Sequence, residues 1–256
     1  MAINNLKFKG VSPSALYKGS DVVSALYKGS DKIWPLGVEV LNYGGAEIAV
    51  GLGSQVSIDI SGWNVQAGDM FIYLSATCFA FNTNCSKSGG GQATVVQAAP
   101  LSNNLSKFNL HYMVADGTET ILSCSSVNDS SVSCMFVHVR NAAIPVIADV
   151  TVQDGNNGPT TPSNFTAEDV FLTQCYGVSN VPVPITTNAS LQGSSVSVTK
   201  AYQGTALASG FGNWGAVGSG YIVESGTYSG ANQLGVFQTY PNISVGSLSV
   251  TLRPET

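Results

Sequence analysis

Five cysteines and two histidines are the side chains of this 256-residue sequence best suited to nucleophilic, redox or metal chemistry. The thiols are Cys78, Cys85, Cys124, Cys134 and Cys175, so any pairing into disulfides leaves one over. No Cys-x-x-Cys and no nearby pair of histidines gives the spacing of a tetrahedral zinc site, and no metal ligand is assigned. Cys124 and Cys134 are symmetric about Asn128-Asp129-Ser130. If a hairpin turns there, they stand opposite each other with Cβ atoms within about 5.5 Å, slightly wider than a relaxed disulfide. That bond can form in an oxidising medium, whereas synthesis in a cytoplasm favours free thiols. Cys78 and Cys85 are likewise symmetric about Phe81-Asn82. His111 and His138 each fall inside an alternating stretch and read as structural or surface histidines.

Other catalytic patterns are missing. There is no Gly-x-Ser-x-Gly elbow and no His-Glu-x-x-His. Gly210-Phe211-Gly212-Asn213-Trp214-Gly215 has the letters of a dinucleotide fingerprint, but Gly218 and Gly220 follow where a helix would have to begin. Asp154 to Gly158 resembles a calcium loop without its closing Glu. Asp149, Asp154, Glu168, Asp169 and Glu224 are the carboxylates available for glycoside hydrolysis, and no spacing selects two of them. The chain is therefore read as non-enzymatic, with no cofactor. Trp214, Tyr221, Tyr228 and Tyr240 lie among Gly, Ser and Asn, where rings can stack on a sugar or a protein partner, or else fill a core.

The elements that must position these residues are strands. Gln55 to Ile60 alternates as a half-buried strand does. Met70-Phe71-Ile72-Tyr73-Leu74, entered through Gln66-Ala67-Gly68-Asp69, is an unbroken apolar run and predicts a core strand covered on both faces. Lys107 to Val114 alternates; Asp116-Gly117 predicts a hairpin returning through Thr118 to Cys124; a second hairpin about Asp129 leads into Val132 to Arg140. Asn42-Tyr43-Gly44-Gly45 reads as a turn, 82–106 as irregular, and 149–164 as a long polar loop and possible internal break. Short strands are expected at 170–176, 181–185, 195–201, 220–224, 234–239 and 247–252. Evenly spaced short strands with glycine turns predict an all-β fold, a β-sandwich or jelly-roll-like domain over 37–256.

Before that domain, Ser14-Ala15-Leu16-Tyr17-Lys18-Gly19-Ser20-Asp21 returns without a change as Ser24-Ala25-Leu26-Tyr27-Lys28-Gly29-Ser30-Asp31, and Lys32-Ile33-Trp34-Pro35 closes the series. Each Lys-Gly-Ser-Asp is a turn signal, and the stretches between have strand composition. A meander this small cannot bury its own apolar side chains. Residues 1–36 therefore form a short repeat-built arm for anchoring or oligomerisation, with Leu16, Tyr17, Lys18, Leu26, Tyr27, Lys28, Ile33 and Trp34 as its contact residues. Tandem Leu-Tyr-Lys-Gly-Ser-Asp ending in Ile-Trp-Pro resembles the N-terminal arms of tailed-bacteriophage virion proteins, of the minor tail or tail-fibre type. The Gln-Ala-Gly-Asp lead-in and Met135-Phe136-Val137-His138-Val139-Arg140 resemble, more loosely, a β-sandwich of phage structural proteins. The resemblance implies a tail or baseplate fibre or adhesin. A head decoration protein and, more remotely, a tail-tip polysaccharide depolymerase are the alternatives; a bacterial lectin is a third.

Composition is compatible with this. Charged residues make up only 10% against 44% apolar, which argues against disorder. A net charge of −5 argues against a nucleic-acid-binding surface, which would need a basic patch. Lys7, Lys9, Lys18, Lys28 and Lys32 are half of the ten basic residues, giving a cationic arm before an acidic body. No apolar run suits a membrane span, and Met1-Ala2-Ile3-Asn4-Asn5 lacks a signal-peptide core. The expected partners are other virion proteins and sister chains, a homotrimer being favoured, with a host-surface glycan in addition; the expected location is the virion, assembled in the host cytoplasm.

Overall fold

The computed structural model describes residues 16–18, 21–23, 26–28, 31–34, 37–48, 55–78, 81–101, 106–126, 131–154, 166, 168–179, 187–191, 198–207, 215–224, 234–237 and 244–255. Among them are nineteen strands, numbered in chain order, and one 3-10 turn at Ile147–Asp149. The arm holds β1 (Leu16–Lys18), β2 (Asp21–Val23), β3 (Leu26–Lys28) and β4 (Asp31–Trp34). There follow β5 (Glu39–Ile48), β6 (Gln55–Asp59), β7 (Met70–Cys78), β8 (Thr83–Lys87), β9 (Thr94–Pro100), β10 (Ser106–Val114), β11 (Ile121–Ser126) and β12 (Val132–Arg140). The last third holds β13 (Val150–Asp154), β14 (Val170–Ser179), β15 (Thr187–Leu191), β16 (Val198–Leu207), β17 (Gly215–Glu224), β18 (Leu234–Phe237) and β19 (Ser244–Leu252).

The fold is all-β, with three antiparallel sheets. A central sheet has the order β5-β12-β7-β10-β9, a small sheet β6-β11-β8, and a C-terminal sheet β13-β19-β14-β17-β16; β1-β2, β3-β4 and β15-β18 form separate two-stranded ladders. The unbroken apolar run of β7 is explained by its place. Every residue from Met70 to Cys78 is buried, because successive side chains point to opposite faces and both faces are covered. Met70, Ile72, Leu74 and Ala76 join Leu172, Ile222, Leu248 and Val250 of the C-terminal sheet in one apolar cluster. Phe71 and Tyr73 join Val56, Leu122 and Cys124 of the small sheet in another. β12 is divided the same way, with Met135, Val137 and Val139 in the first cluster and Cys134 and Phe136 in the second.

Several strands pair differently from the sequence reading. Gly117 does take a positive φ of 89°, but the strands it joins are not a hairpin: β10 pairs with β7 and β9, whereas β11 pairs with β6 and β8. The hairpin expected about Asp129 is absent for the same reason, since β12 pairs with β5 and β7. Both connections carry the chain from one sheet to the other. Asn42 to Gly45 is strand rather than turn, with Gly44 and Gly45 opposite Phe136 and Met135. A Cβ at Gly44 would stand 3.4 Å from Ile58 Cδ1, ordinary van der Waals contact, so the small sheet packs on this part of β5. The stretch read as irregular contains β8 and β9, and the polar loop contains β13.

Candidate functional site

In the arm the repeat folds into two hairpins of matching pattern. Leu16 faces Val23, Tyr17 faces Val22 and Lys18 faces Asp21 in the first. In the second, Leu26 faces Trp34, Tyr27 faces Lys32 and Lys28 faces Asp31. The register shift between Leu26 and Tyr27 leaves Ile33 as the extra residue of a bulge. Each copy thus sets a Leu at the open end and a Lys–Asp pair of opposite charge at the closed end. Only two residues, Gly19-Ser20 and Gly29-Ser30, separate the strands, the length that favours tight hairpin turns.

The two body motifs, Gln66 to Asp69 and Met135 to Arg140, meet in one polar network. Gly68, at φ 96°, turns the chain so that Asp69 enters the interior. The Asp69 carboxylate, 3% exposed, accepts from the Gln66 N–H at 2.9 Å, from His138 Nε2 at 2.8 Å, and from Arg140 Nε and Nη2 at 2.6 and 2.8 Å. His138 Nδ1 then accepts from Asn42 Nδ2 at 3.2 Å, which makes this the neutral Nε2–H tautomer. Trp63 stacks on the imidazole with ring centroids 5.9 Å apart. Burial pushes the Asp69 carboxyl up, but the Arg140 guanidinium, the Gln66 N–H and His138 outweigh it and hold it below its ordinary value. Every ring nitrogen of His138 is used, so the network fastens the start of β7 to β12.

The second polar centre lies between the central and small sheets. Cys124 of β11 stands directly opposite Cys85 of β8, and their Sγ atoms are 2.9 Å apart. Cys134 arrives from β12 on the facing sheet, and the three sulfurs all lie within 4.8 Å of one another, all buried. The expected Cys124–Cys134 hairpin pair is thus replaced by a meeting across layers. Ser75, flanked in register by Cys134 and Asn109, begins a chain of hydroxyls beside the thiols. Ser75 Oγ donates to the Asn109 carbonyl at 3.3 Å, lies 2.7 Å from Thr83 Oγ1, and Thr83 Oγ1 lies 2.9 Å from His111 Nε2. With Ser75 donating onward, Thr83 donates to Ser75 and His111 donates through Nε2. His111 Nδ1 is then a bare lone pair, and it has no hydrogen-bond partner although the residue is 1% exposed. Burial opposes the Cys124 thiolate, but hydrogen bonds from the thiols of Cys134 and Cys85 favour it, so Cys124 is held well below an ordinary thiol while burial holds Cys85 and Cys134 above one.

The remaining sequence candidates are dispersed. Tyr221 occupies β17 opposite Thr173 and Lys200; Trp214, Tyr228 and Tyr240 lie outside the described residues. Gly215 opens strand β17 and not a helix, in line with rejecting the dinucleotide fingerprint. Asp149 and Asp169 both receive Arg253, each at 3.2 Å. Sequence reasoning missed the thiol centre because its cysteines are scattered along the chain. Cys124 and Cys134 fall at or in stretches read as strands, but Cys85 falls in the stretch 82–106 read as irregular, and nothing in the spacing brings it to the other two. No helix among the described residues is long and apolar enough to cross a membrane. Comparison with protein-family models, curated proteins and solved structures finds no match for this chain.

Proposed function

We propose that the protein is a non-enzymatic structural component of a tailed-bacteriophage virion, a tail or baseplate fibre or adhesin anchored through residues 1–36. The observation that carries this reading is the arm: an unchanged repeat that gives two hairpins with the same Leu-Tyr-Lys/Asp arrangement. Two-stranded hairpins of three or four residues are marginal in water unless a further surface covers them. The repeated Leu-Tyr-Lys strand recurs at the same place in both hairpins, although the return strands differ, and a recurring strand suits docking on sister chains or a symmetric ring of virion proteins. The body, 37–256, is then a β-sandwich or jelly-roll-like domain, a reading supported by the apolar cluster shared between its two five-stranded sheets. It faces outward, towards a host-surface glycan or a protein.

The test is assembly. Virions made with a chain lacking residues 1–36 should contain none of it, while the truncated body remains soluble and folded. Normal copy number without the arm would sink the anchoring role.

A further inference from the structure

We infer that Cys85, Cys124 and Cys134, with His111 completing the set, form a structural site for a thiophilic closed-shell cation, zinc in the first instance. Soft thiolates joined by one imidazole are a donor set that such ions take in closed tetrahedral sites. Zinc–sulfur bonds of about 2.3 Å place neighbouring thiolates about 3.8 Å apart, and the three sulfurs already converge within 4.8 Å. Cys85 and Cys124, at 2.9 Å, need only part by about 1 Å to reach that spacing.

Three further observations favour a metal over a simple disulfide. A Cys85–Cys124 bond would join two strands that are already ladder neighbours and would leave the Cys134 sulfur over. The cation uses all three and links the two layers. His111 lies outside the group of atoms within 4.8 Å, but its buried Nδ1 is an unpartnered lone pair. Its other nitrogen is fixed by Thr83 at 2.9 Å, the outer hydrogen bond that orients ligating histidines, so closing the set requires the imidazole to move inward. Finally, every ligand is buried, which excludes water from the ion and marks a closed structural site. On binding, the protons the three sulfurs still hold pass to solvent and each sulfur gives a lone pair to the metal; nothing is oxidised or reduced.

The full chain, purified under reductant and stripped with a chelator, is titrated with Zn2+ and, as an optical substitute, Co2+. One zinc retained per chain after desalting, and a sulfur-to-cobalt charge-transfer band, are the expected results. The band should vanish in Cys134→Ser and in Cys124→Ser, persist in Cys78→Ser and Cys175→Ser, and weaken with at least a tenfold rise in Kd in His111→Gln. The wild-type stoichiometry decides the matter even if a cluster variant misfolds. No retained zinc, a band that survives Cys134→Ser in folded protein, or an intact mass two hydrogens lower from a Cys85–Cys124 bond that forms in preference would each overturn the assignment.

Discussion

At the scale of single residues, the most exacting demand is made by carboxylates brought under the surface. Glu119, 5% exposed, accepts the Asp116 and Gly117 N–H groups at 2.7 and 3.0 Å and pairs with Lys87, which also reaches Asp116 at 2.7 Å. Burial would raise the Glu119 carboxyl, yet the Lys87 ammonium and the N–H groups keep it lowered. Lys87→Met therefore leaves a buried carboxylate with two backbone N–H groups and no counter-charge, and should cost about 3 kcal/mol in urea unfolding, with much of the loss recovered in a Lys87→Met, Glu119→Gln double variant. Asp116 is pulled down to about 2, chiefly by Lys87, from an ordinary 3.8. Asp69 and Glu119 are lowered as well, from 3.8 and 4.5. Such groups bind fewer protons folded than unfolded, so their stabilisation is complete above pH 4.5 and is lost as pH falls through the folded values. Unfolding midpoints should be flat from pH 7 to about 5 and drop steeply towards 2; a midpoint unchanged at pH 3 would contradict the network's role. The sequence made His138 legible as a structural or surface histidine because it falls inside a stretch read as a strand. It could not show that Asp69, separated from it by most of the small sheet, was its partner.

At the scale of elements, strand identity followed from local pattern and strand pairing did not. β7 and β12 were readable because residues covered on both faces need no polar alternation. β8 and β9 were not, since Thr-Asn-Cys-Ser-Lys and Thr-Val-Val-Gln-Ala-Ala-Pro carry little of either signature, and their burial is only partial. The Asp-Gly corner, read as a hairpin, is a bend with Gly117 at positive φ between two different sheets: local turn chemistry fixes direction and not which ladder the next strand joins. Tertiary packing also writes rules that composition hides. Gly246 of β19 has Leu101 Cδ2 at 2.7 Å and the Gln153 carbonyl at 2.8 Å from where a Cβ would stand. One of these is backbone of β13 and cannot yield, so Gly246→Ala should destabilise by about 1–3 kcal/mol. A thermal or urea melt equal to wild type would mean that β13 and Leu101 relax freely.

At the scale of the whole molecule, the chain between Glu39 and Arg140 alternates between two sheets. β5, β7, β9, β10 and β12 belong to the central sheet, while β6, β8 and β11 belong to the small one. Neither sheet is contiguous in sequence, so the two form together or not at all. The central sheet has a second apolar face, with Met70, Ile72, Leu74, Met135 and Val137 packed against the C-terminal sheet. A fragment of residues 37–140 exposes that whole face, well beyond the isolated apolar patches soluble proteins tolerate. It should aggregate on size-exclusion chromatography, where residues 37–256 elute as a folded species; a monodisperse, folded 37–140 would refute this dependence.

The route by which the arm joins the body has a mechanical meaning. Val38 N–H bonds the Glu168 carbonyl at 2.8 Å, and from there β5 runs as an edge strand whose first residue, Glu39, is the ladder partner of the last residue of β12, Arg140. A pull through the arm that lifts β5 away from β12 therefore tugs on one end of an antiparallel zipper. Its hydrogen bonds are loaded one after another, not shared across the whole strand. If a tail fibre transmits force through this joint, the Val38–Glu168 clasp is the first rung to take the strain, and the body behind it peels before it shears.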